Sequence, residues 1–251
     1  MLKMEGVCKS FGGLQALKQV SFEVEEGRIH GIIGPNGSGK TTMFNCITGM
    51  LPLTDGEIFF KDDKISEMAA DKIANLGIRR TFQAGKLVPS LTVMENVMCG
   101  ISHFGKADLL DTFFRLPFAK SKIENALEAE AMEILESIGM ADSADRWAAD
   151  LVWAERQFVQ IVRAMVSKPK ILLLDEPASG MGPKETEMVG ELILKIKSMG
   201  ITVLVVSHDM KMLMNVTDYV TVLNFGAKIF EGTPDAVQKD PLVLEAYLGA
   251  E

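Results

Sequence analysis

Residues 34–41 read GPNGSGKT. They fit the phosphate-loop pattern G-x-x-x-x-G-K-[ST] with nothing left over. Gly37 and Gly39 let the backbone turn so that successive N–H groups point inward. With Gly34, Pro35, Asn36 and Ser38 completing the loop, those groups form an anion nest at the start of a helix that opens near Lys40. Lys40 reaches toward β and γ phosphates, the Thr41 hydroxyl is offered to Mg²⁺, and Thr42 serves a further phosphate oxygen. The flanks agree: an apolar strand, IHGII, comes before, and a helical pattern, TTMFNCITGM, comes after. Cys46 falls inside that helix and is read as packing.

Further along, ILLLDEP (171–177) places two acids at the end of an apolar strand. Burying both charges without compensation would be costly. A metal and solvent at the carboxyl edge of a parallel sheet, where ligands of open α/β folds sit, remove that cost. Asp175 is the expected Mg²⁺ partner, and Glu176 is placed to orient or deprotonate an attacking water. ITVLVVSHD ends another strand on His208, within expected reach of a γ phosphate. Gln83, in RRTFQ, is an uncharged group able to coordinate Mg²⁺. Phe11, in KSFGG, offers a ring for an adenine face. Arg79 and Arg80 read as a solvated face. The methionines at 210, 212 and 214 read as core.

The chain has 251 residues, 47% of them hydrophobic and 24% charged, enough for one large domain with a sizeable core. Acidic residues outnumber basic ones 34 to 26, which argues against a general nucleic-acid binder. Cys8, Cys46 and Cys99 are widely spaced, with no CxxC, so free thiols in a reducing compartment are expected. MLKMEGVCKSFGG lacks the apolar run of a signal peptide, and ILLL and VLVV are too short to span a bilayer. A soluble chain is expected, with any membrane role acting through a partner.

Short continuous apolar strands alternate with helices at both ends of the chain, which implies a parallel sheet buried on both faces. Between them, KSKIENALEAEAMEILESIGM is helical, with Ile123, Leu127, Ala131, Ile134 and Leu135 on one face and Gly139 as a C-cap. The expected organisation is a single domain over 1–251. Its nucleotide-binding core is 1–83 and 160–251, and 84–159 is an inserted helical subdomain.

Taken together, these residues resemble the nucleotide-binding subunit of an ABC transporter. The order matches throughout: aromatic Phe11, Walker A at 34–41, Q-loop at Gln83, signature region at 151–155, Walker B at 171–175, catalytic Glu176, a D-loop around Ser179–Met181, and switch His208. Finer stretches are similar to the LivG-type ATPase of branched-chain amino-acid importers: FGGLQAL, RTFQ, DEPASGMGPKET and EGTPDAVQKDPLVLEAYLG. Related members serve urea and short amides, and a cousin powers lipopolysaccharide export. The resemblance implies a P-loop NTPase (RecA-like) α/β core with an N-terminal antiparallel β subdomain and an inserted helical subdomain. It implies ATP and Mg²⁺ as cofactors and a peripheral place at the cytoplasmic face of the membrane. It also implies permease subunits docking near 84–100, where Leu87, Val88, Leu91 and Val93 supply apolar contact, and a solute-binding protein acting indirectly.

One stretch departs from the pattern. Residues 151–157 read LVWAERQ, where the family reads like L-S-x-G-E/Q and uses its serine and glycine on the γ phosphate held by the opposite subunit. Val152 cannot donate a hydrogen bond, and the Ala154 Cβ hinders close approach of a phosphate. This chain keeps the Walker half of a shared site and weakens the signature half. A heterodimer with a homologous ATPase is therefore expected ahead of a homodimer. The competing expectation is a nucleotide-gated regulatory subunit that hydrolyses little.

Overall fold

The computed structural model describes residues 1–81, 87–100 and 122–248. Ten strands follow in chain order: β1 (Leu2–Phe11), β2 (Leu14–Val24), β3 (Ile29–Ile33), β4 (Asp55–Phe60), β5 (Asp63–Lys64), β6 (Ile78–Arg80), β7 (Ile171–Asp175), β8 (Thr202–Val206), β9 (Tyr219–Asn224) and β10 (Ala227–Gly232). They belong to the first of two compact units, Met1–Gln83 with Lys170–Glu251; the second is Ala84–Pro169.

In the first unit, β2-β1-β4-β5 form an antiparallel sheet, and β10-β9-β3-β8-β7-β6 form a second, mixed sheet. The second sheet is parallel from β9 to β6, with β10 antiparallel at its edge. Every residue of β3, β7 and β8 is buried, as expected of unbroken apolar strands covered on both faces. Met43, Phe44 and Ile47 of the helix Lys40–Ile47 share one core with Leu2, Val20 and Phe60 of the antiparallel sheet and Ile32 and Leu173 of the parallel one.

The helix Pro183–Ser198 begins with Pro at its first turn, and the Gly182 N–H donates to Glu185 Oε2 at 2.7 Å. Its buried Val189, Leu192, Ile193 and Ile196 recur at helical spacing. Asp209 caps the helix Met210–Val216, accepting from the Met212 N–H at 2.8 Å. Of the three methionines expected in the core, Met212 is buried and Met210 and Met214 are half-buried. The C-terminal helix is Pro241–Leu248.

The second unit contains the helices Val93–Met98, Lys122–Ser137 and Trp153–Met165. Ala131, Ile134 and Leu135 of the middle helix are buried, and Gly139 beyond its end takes φ 70°, the left-handed conformation of a helix stop. The unit runs to Pro169, ten residues past the boundary expected at 159, because Trp153–Met165 is one helix across that point. Asn96, fully buried, accepts from the Val88 N–H at 2.7 Å and donates to the carbonyls of Val88, Leu91 and Thr92. Leu87 and Val93 are buried, so of the four residues expected to offer apolar contact Val88 alone is exposed and Leu91 is half-buried.

Among the described residues no helix is long and apolar enough to cross a membrane. Cys8 and Cys46 are buried and Cys99 exposed, all three unbridged.

Candidate functional site

Residues 34–39 turn the chain from the end of β3 into the helix Lys40–Ile47. Gly39, at φ 101°, lies so close to β2 that a Cβ there would stand 2.6 Å from the Ala16 carbonyl oxygen. Gly37, at φ 79°, faces open space. The first-turn amides of Lys40, Thr41 and Thr42 have no intrahelical acceptor, so the loop ends in outward-pointing donors. The Lys40 ammonium donates to the carbonyls of Gly34 at 2.6 Å and Pro35 at 3.0 Å. Burial pushes its pKa down, and the carboxylates of Glu176 and Asp175 pull the other way. Loop carbonyls are weaker partners for an ammonium than an anion would be, so a phosphate can take their place.

β7 delivers Asp175 and Glu176 to the same edge of the sheet. Asp175 Oδ2 accepts from Arg80 Nη2 at 2.7 Å, with the two side chains 2% and 6% exposed. Arg80 also donates to Asn45 Oδ1 at 2.6 Å and lies 5.4 Å from the Phe44 ring centroid. Arg79 is half-buried and donates to the Ala74 carbonyl. These arginines are thus not a solvated face: parallel pairing of β6 with β7 carries Arg80 to the carboxylate end of its neighbour. Asp175 Oδ1 is buried and has no hydrogen-bond partner among the described residues. An unpaired carboxylate oxygen at this depth suits a hard cation or a water of its shell, so the residues present fit Mg²⁺.

Glu176 sits at φ 51°, a conformation that costs a non-glycine residue of order 1–3 kcal/mol and tends to persist where function needs it. Its Oε2 is 2.6 Å from His208 Nδ1 and accepts from the His208 N–H at 3.2 Å. β8 lies between β3 and β7, so the loops after these three strands bring Lys40, His208 and Glu176 to one edge. A cleft of about 430 Å³ is lined by Phe11, Lys40, Thr41, Thr42 and Glu176. Phe11 is 45% exposed, and Lys9 Nζ stands over its ring, 5.0 Å from the centroid. Gln83 lies outside the described residues.

Sequence reasoning missed Tyr247. From the C-terminal helix its hydroxyl comes beside the Gly34 backbone amide, off the geometry of a hydrogen bond, and is buried without a partner among the described residues. Burial pushes the phenol up to about 12, the Gly34 amide opposes the rise, and the Glu176 carboxylate adds to it. Nothing in LEAYLG hints at such a position, because a lone tyrosine in an apolar helix reads as packing.

Residues 17–179 match the family model described as ABC transporter, and residues 227–251 the one described as branched-chain amino acid ATP-binding cassette transporter. The chain belongs to the ABC transporter family. It is an ATP-binding cassette, the ATPase subunit of such a transporter. Among its relatives is BraF of Pseudomonas aeruginosa, a high-affinity branched-chain amino acid transport ATP-binding protein, 38% identical over 99% of this chain and 98% of BraF. LivG of Escherichia coli is equally similar over the same shares, and LivG of Methanocaldococcus jannaschii is 34% identical over 99% and 97%. A crystallised ABC transporter cassette in its ADP conformation superposes with a TM-score of 0.86 at 33% identity, covering 99% of this chain and 98% of that one. A dimeric cassette in a post-hydrolysis state, bound to ADP and Pi, gives 0.74 at 28% identity over 93% and 99%.

In this cassette the departure at LVWAERQ has a definite local form. Val152 is the N-cap of the helix Trp153–Met165, is 62% exposed, and its side chain makes no capping hydrogen bond. Its N–H donates to Glu155 Oε2 at 2.9 Å. Glu155 also accepts from Arg146 Nη1 at 2.8 Å. Burial raises the Glu155 pKa, but Arg146 and the Val152 amide outweigh it and hold the carboxyl below its usual range. Ala154 is buried and Trp153 exposed.

Proposed function

We propose that this cassette hydrolyses ATP to power an importer of branched-chain amino acids, bound peripherally to permease subunits at the cytoplasmic face of the membrane. The substrate class follows the names of its relatives, BraF and LivG. The catalytic reading rests on the Glu176–His208 contact of 2.6 Å at the edge of the cleft lined by Lys40.

In this reading the phosphates lie in the loop 34–39, and Lys40 exchanges the Gly34 and Pro35 carbonyls for β- and γ-phosphate oxygens. Phe11 stacks on the adenine. Thr41 and Asp175 hold the Mg²⁺ that neutralises phosphate charge, with Gln83 a further candidate ligand. Glu176 orients a water and accepts its proton as the oxygen attacks the γ phosphorus, and ADP leaves. His208, bonded to Glu176, keeps that carboxylate aimed and offers its other ring nitrogen to the phosphate.

The partner is a homologous ATPase whose intact signature completes this chain's site. Val152 has no hydroxyl to offer in return, and a lost charge-assisted hydrogen bond of roughly 1.5–3 kcal/mol slows the reciprocal site about tenfold to over a hundredfold. The second reading, a nucleotide-gated regulatory subunit, is favoured by the same Val152 and opposed by the complete Glu176–His208 pair.

Mg²⁺-dependent ATP hydrolysis by the purified chain alone, followed across protein concentration with Glu176→Gln as control, separates them. Tight ATP binding with little turnover, rising on addition of a homologous cassette, is the expected result. Robust turnover that climbs steeply with concentration and vanishes in the control would mean a competent homodimer and end the heterodimer argument. No turnover under any pairing would favour the regulatory reading.

A further inference from the structure

The turn between β9 and β10 carries an aromatic side chain that the site described above does not use. Phe225 is 78% exposed, more than any other large hydrophobic residue among those described. Its φ is 45°, in the left-handed region that side chains other than glycine and asparagine seldom adopt. The turn is nevertheless held firmly. The Gly226 N–H donates to the Ser38 carbonyl at 3.2 Å, and the Lys18 N–H donates to the Gly226 carbonyl at 2.7 Å. One bond ties the turn to the phosphate loop and the other ties it to β2. Phe225 lines the same cleft as Phe11, Leu14 and Lys40. An exposed ring on a strained but anchored turn is unfavourable by itself, and a flat apolar ligand that covers the ring reverses the exposure.

We propose that Phe225 is a second base-contacting residue of the nucleotide site. The β9–β10 turn lays its ring against the base that Phe11 stacks, while the triphosphate occupies the loop. This rests on the reading of the cleft as the ATP site and adds a specificity-determining group to it. Because the turn is bonded to Ser38, the two ends of the nucleotide are held by two loops that are hydrogen-bonded to each other. The rival account is that the ring packs on a partner subunit, which leaves nucleotide binding by the isolated chain unaffected.

Isothermal titration of ATP into the full chain tests this with wild type, Phe225→Asn and Phe225→Tyr. Asparagine tolerates the left-handed region, so that variant keeps the turn and should melt no lower than wild type. Tyrosine keeps both the ring and the strain. Phe225→Asn should weaken ATP binding about 5- to 150-fold, the range for losing one base–aromatic stack, and Phe225→Tyr should retain wild-type affinity. Equal affinities for wild type and Phe225→Asn would overturn the proposal, as would a loss shared by Phe225→Tyr. If wild type itself binds no ATP, the reading of the cleft falls and this inference with it.

Discussion

Two helices of the second unit begin with the same device, built to different completeness. Ahead of the helix Val93–Met98, the Thr92 N–H donates to Glu95 Oε2 at 2.8 Å and the Glu95 N–H donates back to the Thr92 hydroxyl at 3.2 Å. Ahead of the helix Trp153–Met165, the Val152 N–H finds Glu155 in the same way, but nothing returns the bond, because valine has no acceptor. The difference is one oxygen. Its absence has not prevented a thirteen-residue helix, whose buried Phe158, Val159, Ile161 and Val162 supply the stabilising contacts. A hydroxyl at position 152 is therefore not required for this helix to form, and on the reading proposed above its absence bears on what position 152 offers another chain. The first unit offers the opposite case in one pair: Arg80 and Asp175 are buried and bonded to each other at the edge of the site, so there fold and chemistry depend on the same atoms.

The sharpest way to break this contrast is Arg80→Ala. It leaves Asp175 buried and without its guanidinium, and removing one member of a buried ion pair costs about 3–5 kcal/mol. Guanidinium chloride unfolding should show that loss. A cost below about 1 kcal/mol would put Arg80 in the class of surface charges and remove the contrast.

Acid should act on the first unit through His30. It is buried in β3 beside the rings of Phe22 and Tyr219, and its Nε2 is 2.9 Å from Thr221 Oγ1. Burial, helped by the Lys228 charge, pushes its pKa down to about 4. An unfolded histidine titrates near 6.5. Below about pH 6.5 the unfolded chain takes up a proton that the native one refuses, so stability falls as pH drops toward about 4 and levels off beneath it. The full span corresponds to roughly 3 kcal/mol. Urea midpoints measured between about pH 7 and 4.5 should fall less steeply in His30→Gln than in wild type. Parallel slopes would mean that His30 titrates normally.

Why some of this was legible in the sequence and some was not follows from where partners sit. β3, β7 and β8 could be read because an unbroken apolar run needs no knowledge of its neighbours. The phosphate loop's place between a strand and a helix could be read because its residues are contiguous. Arg80 could not, since its partner Asp175 lies 95 residues away and Arg-Arg looks the same on a solvated face as beneath a sheet. Leu87 and Val93 read as apolar contacts for another subunit, but side chains that pack inward carry the same letters as those that face out. Phe225 and Tyr247 were invisible for a related reason: NFG reads as a turn and LEAYLG as a helix, and neither pattern says which cleft or loop lies beside the ring.

A smaller effect than either of those tests the position itself. Restoring the hydroxyl with Val152→Ser should raise the ATPase rate of the chain alone about tenfold to a hundredfold if cassettes pair and the γ phosphate lacks only that contact. An unchanged rate would place the deficit at Ala154, where a Cβ rather than a missing donor is at fault.

The smallest effect isolates the cap from the chemistry. Thr92→Val removes the returning bond at one helix, and Val152→Ser adds it at the other. An N-cap hydroxyl is worth about 1 kcal/mol, so urea unfolding of the nucleotide-free chain should show about that loss for the first change and a comparable gain for the second. The gain need not equal the loss, because Glu155 is already anchored by Arg146 and its carboxylate is committed to the Val152 amide. What matters is the sign. A gain in stability at 152 would mean that this chain passed over a better helix start, so valine there reflects the surface it presents to its partner. No gain, with the loss at 92 intact, would mean that the Arg146–Glu155 pair already does the work of the hydroxyl, and that the two helix starts are equivalent after all.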